Sequence, residues 1–455
     1  MVNIVTEIAK YLMVVLIAIY TFEAFIIFGY DEYTRRSAMK RQTFLIFLIH
    51  FIAFLVLFLG TNEMKIAYFY VAQVILFLTM ILLYTTLYPK VSKLVVNHMC
   101  MLLAIGFIIL TRLSYDLAFK QFIIATGAMF VSLFVPIIIR KVKMLEDLRK
   151  LYGGIGMVAL LAVVVAGTRS GGALLGFNLG FISIQPSELV KIVFVFFVAA
   201  SFKKSTEFKN IVITTCVAAA HVLILVASRD LGAAVIIFVT YLMMLYVATR
   251  QPLYLLAGLG AGAAASMVAH RFFNHVRVRV NAWKDPFADY SGGGYQIAQS
   301  LFAIGTGSWF GVGLLQGMPD RIPVATEDLV FSALCEEMGL LFGLCLVMIC
   351  LSCYIMFLNI AMQLRNVFYK LVALGLGTCY IFQVFLNIGG VTKFIPSTGV
   401  TIPFVSYGGS SLLSTLIMFA IIQGLYILRE DEEETIERKK EQQAKKEQGR
   451  RFRDL

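Results

Sequence analysis

Residues 291–331, SGGGYQIAQSLFAIGTGSWFGVGLLQGMPDRIPVATEDLVF, are Gly-rich, interrupted by Pro319 and Pro323, and end by placing Asp328 where a long apolar run begins. An acidic side chain at the mouth of a membrane segment is costly unless it has a use. Asp328 is therefore the first candidate for chemistry, as a general base. Capping a helix N-terminus is the bland alternative, and the two roles are compatible because a capping aspartate is also a positioned one. The helix dipole would favour its charged form, while partial desolvation would raise its pKa towards useful basicity.

Other polar groups interrupt apolar surroundings. Glu188 and Lys191 follow Gln185, Pro186 and Ser187 and stand three apart, so they share a helix face and can neutralise one another at depth, as a structural ion pair or as the polar floor of a cavity. Arg229 and Asp230 form a charged turn. Arg271, Arg277, Arg279 and Lys284 lie in one long connection, where lipid headgroups could account for them. The sharper reading is that one or two of them, with Arg169 and Lys393, bind a diphosphate through fork-shaped or point-charge donors. Residues 392–411, TKFIPSTGVTIPFVSYGGSS, combine two prolines with several glycines and hydroxyls, and such a broken segment at membrane depth is tolerated where it lines a cavity. Gln383 and Asn387, one helical turn apart, put amides on one side just before it, where they can bond neighbouring helices.

These groups must be positioned by a membrane scaffold. Of 455 residues, 60% are hydrophobic and 15% charged, which excludes an ordinary soluble domain. The net charge of +12 comes from short Lys/Arg runs between apolar spans, where topology explains it and nucleic acid does not. The seven cysteines lie in apolar stretches without zinc-like spacing and read as reduced, buried thiols. No basic leader and cleavage site accompany the first apolar stretch, which reads as a retained helix.

About thirteen runs are long enough to span a bilayer: 8–28, 44–60, 66–88, 94–112, 118–139, 153–168, 187–202, 209–227, 231–248, 252–269, 328–358, 367–388 and 406–428. The fold class is thus all-α, a polytopic helical membrane protein. Basic connections at 33–42, 90–93, 140–150, 202–209, 250 and 365–370 alternate with the others, predicting an N-terminus outside and a C-terminus in the cytoplasm. The same alternation gathers the connections 169–187, 228–231, 270–327 and 389–405 on the outer side, so the active face is expected there. Residues 429–455 turn abruptly charged and read as a solvated helix or a disordered cytoplasmic tail. No internal repeat is evident, which counts mildly against inverted-repeat transporters.

Five segments in order, QPSELVK at 185–191, RDLG at 229–232, GYQIAQSLFAIGTG at 294–307, EDLVF with EEMG at 327–339 and IPSTGVTIPFVSYGGSS at 395–411, together resemble the SEDS family (shape, elongation, division and sporulation). The resemblance runs from about residue 150 to 428. It implies a peptidoglycan glycosyltransferase of the bacterial cytoplasmic membrane that polymerises lipid II, beside a class B penicillin-binding protein as transpeptidase. The family's catalytic aspartate begins the helix after its large extracytoplasmic loop and falls on Asp328. Its motif Glu and Lys fall on Glu188 and Lys191, and the arginine ahead of them on Arg169. Arg229, Arg277, Arg279, Lys393, Gln296 and Ser406 complete the substrate-binding candidates.

Three departures stand out. Glu327 separates Thr326 from Asp328, SRDLG replaces the commoner QPDLG, and Lys393 stands where glycine is frequent, as in a RodA-like branch. The family's usual ten or so spans leave about three extra at the N-terminus, dividing the chain into a 1–150 extension, a 151–428 core and a 429–455 tail.

The implied reaction is attack of an acceptor GlcNAc 4-hydroxyl on a sugar linked to diphosphate, inverting the anomeric centre to a β-1,4 bond. Asp328 would take the hydroxyl proton, and basic side chains or a divalent cation, Mg or Mn, would meet the departing diphosphate. No motif specifies a metal cage or another cofactor. The rival readings are a flippase for lipid II or a related lipid-linked sugar, which should carry its polar groups near the midplane, whereas here they cluster at one face with His221 the main exception, and a non-catalytic scaffold.

Overall fold

In a bilayer every backbone N–H and C=O must find its partner within the segment, so apolar runs become helices. The computed structural model describes residues 2–170, 173–178, 180 and 183–451, with sixteen α-helices among them. In chain order these are α1 (Val2–Ile26), α2 (Glu32–Thr61), α3 (Met64–Leu87), α4 (Lys93–Leu113), α5 (Tyr115–Lys141) and α6 (Arg149–Ala166). A small sheet follows, β1 (Thr168–Ser170), β2 (Ala173–Asn178) and β3 (Ser183–Ile184), antiparallel in that order. Then come α7 (Pro186–Lys204), α8 (Phe208–Ala227), α9 (Leu231–Thr249), α10 (Pro252–Phe272), α11 (Asn274–Lys284) and α12 (Tyr295–Gly307). The last four are α13 (Val330–Met338), α14 (Leu340–Gln363), α15 (Val367–Val391) and α16 (Gly409–Arg451).

The protein is an all-α polytopic membrane protein, and twelve of the thirteen expected runs each fall on one helix, the run 328–358 falling on two. Among the described residues twelve helices are long and apolar enough to cross a membrane. α7 is not among them because it carries Glu188, Lys191, Lys203 and Lys204, yet it packs side by side with α6, α9 and α15. The helix at the centre is α4, buried without interruption from Leu94 to Thr111, as an element apolar on every side should be. Gly106 lets it touch the loop before α16, since a Cβ there would lie 2.5 Å from the Phe404 carbonyl oxygen.

The two ends of the bundle differ. At one, basic side chains meet acidic or amide partners: Lys90 and Arg140 each lie 2.7 Å from Asp431, and Arg149 is 2.6 Å from Asn210. At the other, Gly- and Pro-rich connections bond one another: the Gln185 amide donates to Ser410 at 2.8 Å and Arg279 to the Ser397 carbonyl at 3.1 Å. The tail expected at 429–455 continues α16 as helix to Arg451.

The run expected as one span over 328–358 is broken. Gly339, at φ 91° and ψ 162°, separates α13 from α14 and admits the loop 308–313 against the break. Leu340 and Leu341 amides donate to the Ser308 and Trp309 carbonyls at 2.9 and 3.1 Å, and Val312 and Gly313 amides to Glu336 and Glu337 at 3.0 and 2.9 Å. A Cβ on Gly339 would sit 2.4 Å from the Gly311 nitrogen, in a backbone region essentially reserved for glycine. Gly339→Ala is therefore expected to destabilise the protein by about 1–3 kcal/mol from the backbone conformation alone. Thermal unfolding in detergent reads this, with Gly305→Ala in α12, where nothing lies within 4 Å, as a control that should not fall.

Candidate active site

Asp328 sits in the run of turns over residues 323–329, two positions ahead of α13. It does not cap that helix: the residue at the cap is Leu329, with no side-chain bond to the first turn. What holds Asp328 is its backbone. Asn387 of α15 donates its amide to the Asp328 carbonyl at 2.8 Å and to the Val400 carbonyl at 2.6 Å, tying the turn to the 392–408 loop. The Tyr407 amide donates to Thr326 at 2.7 Å and closes the same junction. The carboxylate is left free of structural duty.

Its electrostatics fit a base. Burial pushes the Asp328 carboxyl up to about 6, Glu327 adds to the rise, and Arg279 opposes it. Burial also raises Glu327, but no cation opposes that rise, and the carboxylates acting on Arg279 are Asp328 and Asp230. Of the two neighbouring acids, Asp328 is thus the one facing a cation. Burial draws the Arg279 guanidinium down from its ordinary value, with both aspartates pulling the other way.

One helical turn before Asn387, Gln383 links this junction to the QPSE helix. Its amide nitrogen donates to the Thr401 carbonyl at 3.0 Å, and its oxygen accepts from Lys191 Nζ at 2.7 Å. Lys191 is fully buried and lies 2.9 Å from Glu188, whose other contact is the Ser414 hydroxyl of α16 at 3.1 Å. Asp230 caps α9 through the Ala233 amide at 3.1 Å and accepts from Ser187 at 2.8 Å and Gln185 at 3.2 Å. One polar layer therefore runs from Asp328 through Asn387, Gln383 and Lys191 to Glu188, with Asp230 and Arg279 beside it.

The other candidates are placed as follows. Arg229 turns the chain into α9 with φ 64°, and after burial it is the leading influence lowering His275 on α11, with Arg279 next. Arg277 is exposed and donates to the Arg271 carbonyl at 2.9 Å, on the side of α11 away from Arg279. Lys393 adopts φ 59°, a conformation that accounts for glycine being the frequent occupant of such a position. Gln296 is exposed on the first turn of α12. Ser406 is buried, where its hydroxyl accepts from the Ile402 amide at 2.9 Å and shapes the loop. Arg169 is in β1, paired with Leu174, and its side chain lies outside the described residues. His221 is packed among Phe194, Phe197 and the bare face of Gly156, with Nδ1 against the Val217 carbonyl, so it serves helix packing.

Sequence reading missed the pair Arg112 and Glu337, 2.8 Å apart, which joins the end of α4 to α13. Opposite charges inside two apolar runs were the available signal, since each needs a partner. Among the described residues no three His, Cys, Asp or Glu side chains converge as a metal cage. A divalent cation held between one or two carboxylates and a substrate's phosphates would need no such cage.

A family model described as "Cell cycle protein", FTSW_RODA_SPOVE, matches residues 92–430. The match begins at α4, so the boundary expected at residue 150 falls inside it and α1–α3 precede it. The chain is 39% identical over 306 residues to the peptidoglycan glycosyltransferase RodA of Mycobacterium tuberculosis, covering 62% of this chain and 65% of that protein's length. In structure it is similar to a chain of a peptidoglycan synthase complex that coordinates polymerization and crosslinking, with a TM-score of 0.64 at 23% identity, covering 74% of this chain and 98% of that one. It is similar as well to the rod shape determining protein RodA of Thermus thermophilus, with a TM-score of 0.56 at 22% identity over 74% and 96% of the two chains. At such identities the likeness is one of fold.

Proposed function

The chain belongs to the family of FtsW, RodA and SpoVE cell cycle proteins, matched over residues 92–430, and from that membership we propose that it is a peptidoglycan glycosyltransferase polymerising lipid II. The observation that carries this is the half-buried Asp328, raised to about 6 beside Arg279 while its backbone alone is used for structure. A base needs a pKa near the working pH and a lone pair not already committed.

In this reading the 4-hydroxyl of the acceptor GlcNAc attacks the anomeric carbon of the donor sugar and passes its proton to the Asp328 carboxylate. The new C–O bond forms as the bond to the diphosphate breaks, which inverts the centre from α to β. The diphosphate departs as an anion, and Arg279 answers its charge; Arg229, Arg277 and Lys393, on the neighbouring connections, serve its approach. No step needs a metal held by the protein. The family's cytoplasmic-membrane setting and the gathering of basic connections at the end opposite Asp328 support an extracytoplasmic site, an external N-terminus and a cytoplasmic C-terminus. Because the related complex couples polymerization with crosslinking, a class B penicillin-binding protein is the partner we assign.

The purified chain, given fluorescent lipid II, should produce a ladder of β-1,4 glycan strands that a muramidase digests. Lipid II that changes leaflet without polymer forming would instead favour the flippase, and neither outcome the scaffold. The pH profile follows from the base. With Asp328 titrating near 6, kcat/KM should rise about tenfold per pH unit below that value and level off above it. A profile flat from pH 5 to 8 would remove Asp328 from that role.

A further inference from the structure

At the end of the bundle opposite Asp328, a cavity of ≈ 1230 Å³ opens between α2, α3, α4, α14, α16 and the short turn Ile27–Gly29. Six cations line it, Arg35, Arg36, Lys40, Lys90, Lys93 and Arg429, against three carboxylates, Glu430, Glu433 and Glu434. The acidic side of the cavity, on α16, is already met. Lys90 is 2.8 Å from Glu434 and 2.7 Å from Asp431, while Arg429 pairs with Glu430 and stands 3.8 Å from Glu433. The facing wall carries Arg35 and Lys40 of α2 and Lys93 of α4 as exposed side chains. The space between them is positive and asks for an anion.

Two further features describe that anion. Part of the wall is apolar, with Ile27, Leu94 and Met356 buried and Phe28 and Ile81 more exposed beside them, which suits a hydrocarbon chain. The volume exceeds the roughly 300–1,000 Å³ of an ordinary small-molecule site, leaving room for a headgroup with the upper part of its acyl chains. The cavity also exists only because α1–α3 are present, since Arg35, Arg36 and Lys40 precede the family match that begins at residue 92. Basic pockets between membrane helices on the side where basic loops gather are the usual means of holding anionic headgroups.

We propose that this cavity binds the phosphate of an anionic phospholipid, gripped by Arg35, Lys40 and Lys93 with its chains against the apolar wall, and that the N-terminal helices form the site. The site does not involve Asp328, so it stands apart from the polymerase reading. The shared chemistry is a phosphate anion, and the apolar wall favours the lipid over a free one.

The test uses the full chain in phosphatidylcholine nanodiscs titrated with phosphatidylglycerol, counting retained lipid by native mass spectrometry and following Tm. Wild type should retain phosphatidylglycerol and gain Tm. Arg35→Gln with Lys40→Gln, both at exposed positions, should weaken retention roughly 30-fold, at about fivefold per surface cation. Lys150→Gln, a cation of the same end outside the cavity, should bind as wild type does. Equal retention by the double variant overturns the proposal, as does failure to prefer phosphatidylglycerol over phosphatidylcholine. Glycerol 3-phosphate or inorganic phosphate alone reproducing the Tm gain would overturn the lipid assignment. A double variant with a normal circular dichroism spectrum and elution volume excludes misfolding as the cause of lost binding.

Discussion

Asp328→Asn should lower lipid II polymerisation by roughly 10²–10⁴-fold, the usual worth of a general base, while leaving the protein folded. The second half of that expectation comes from how the residue is held. Asn387 and the loop it ties in grip the Asp328 backbone, so the side chain can change without releasing the turn. Proton linkage gives the sign of the stability change. The carboxyl rises from its ordinary 3.8 to about 6 on folding, so the folded state favours the protonated form. Ionisation between those values weakens the fold, and the neutral amide should be at least as stable as wild type at pH 7. Loss of activity with unchanged or higher Tm is thus the signature sought, with Asp328→Ala as a second variant. Glu327→Gln, at the exposed neighbour, should keep most of the activity. Wild-type polymerisation by Asp328→Asn would end the assignment of the base.

Lys191→Met should be the most damaging single change for stability, costing about 3–5 kcal/mol. Glu188 would keep only the Ser414 hydroxyl at 3.1 Å, and the Gln383 oxygen would lose its donor. Removing one member of a buried pair strands the other charge, whereas removing both is often neutral. Glu188→Gln combined with Lys191→Met should therefore recover much of the lost Tm, and a double variant no more stable than the single one would show that the pair does not couple. Whether activity returns with the fold separates the two roles of this layer. Recovered Tm without recovered polymerisation would mark the pair as acting on the site, in addition to stapling α7 to α16 and α15.

The spans were legible because an apolar run of this length has few alternatives in a bilayer, and α4 was legible because its stretch from Leu94 to Thr111 is largely apolar on every side and buried throughout. The break at Gly339 was not, because hydropathy is silent about a backbone that turns within an apolar run. The strands β1–β3 were hidden by their brevity, two to six residues each, and by pairing that only the ends of α6 and α7 bring about. At the site, composition identified the carboxylate and the cluster of cations. It could not choose among the cations, since Arg277 and Arg279 differ only in the direction α11 gives them: residues two positions apart on a helix lie nearly opposite, which sends one to solvent and one towards Asp328. Gln383 and Asn387 were visible as amides on one side of a helix, but their partners, loop carbonyls reached across the chain, were not. The boundary at residue 150 was set by where the motifs start; ahead of it, α4 packs against α14 and α5 against α16.

Arg279 faces Asp328 from α11, which is joined to α10 through the single extended residue Phe273, and α10 buries none of its residues while packing along α9. A helix without a protein socket takes its tilt from the hydrocarbon around it, adjusting to the thickness it meets. The distance between the arginine and the base is in that sense delegated to the lipid: acyl chains of different length, by tilting α10, would set how strongly the guanidinium steadies the charge that the reaction creates.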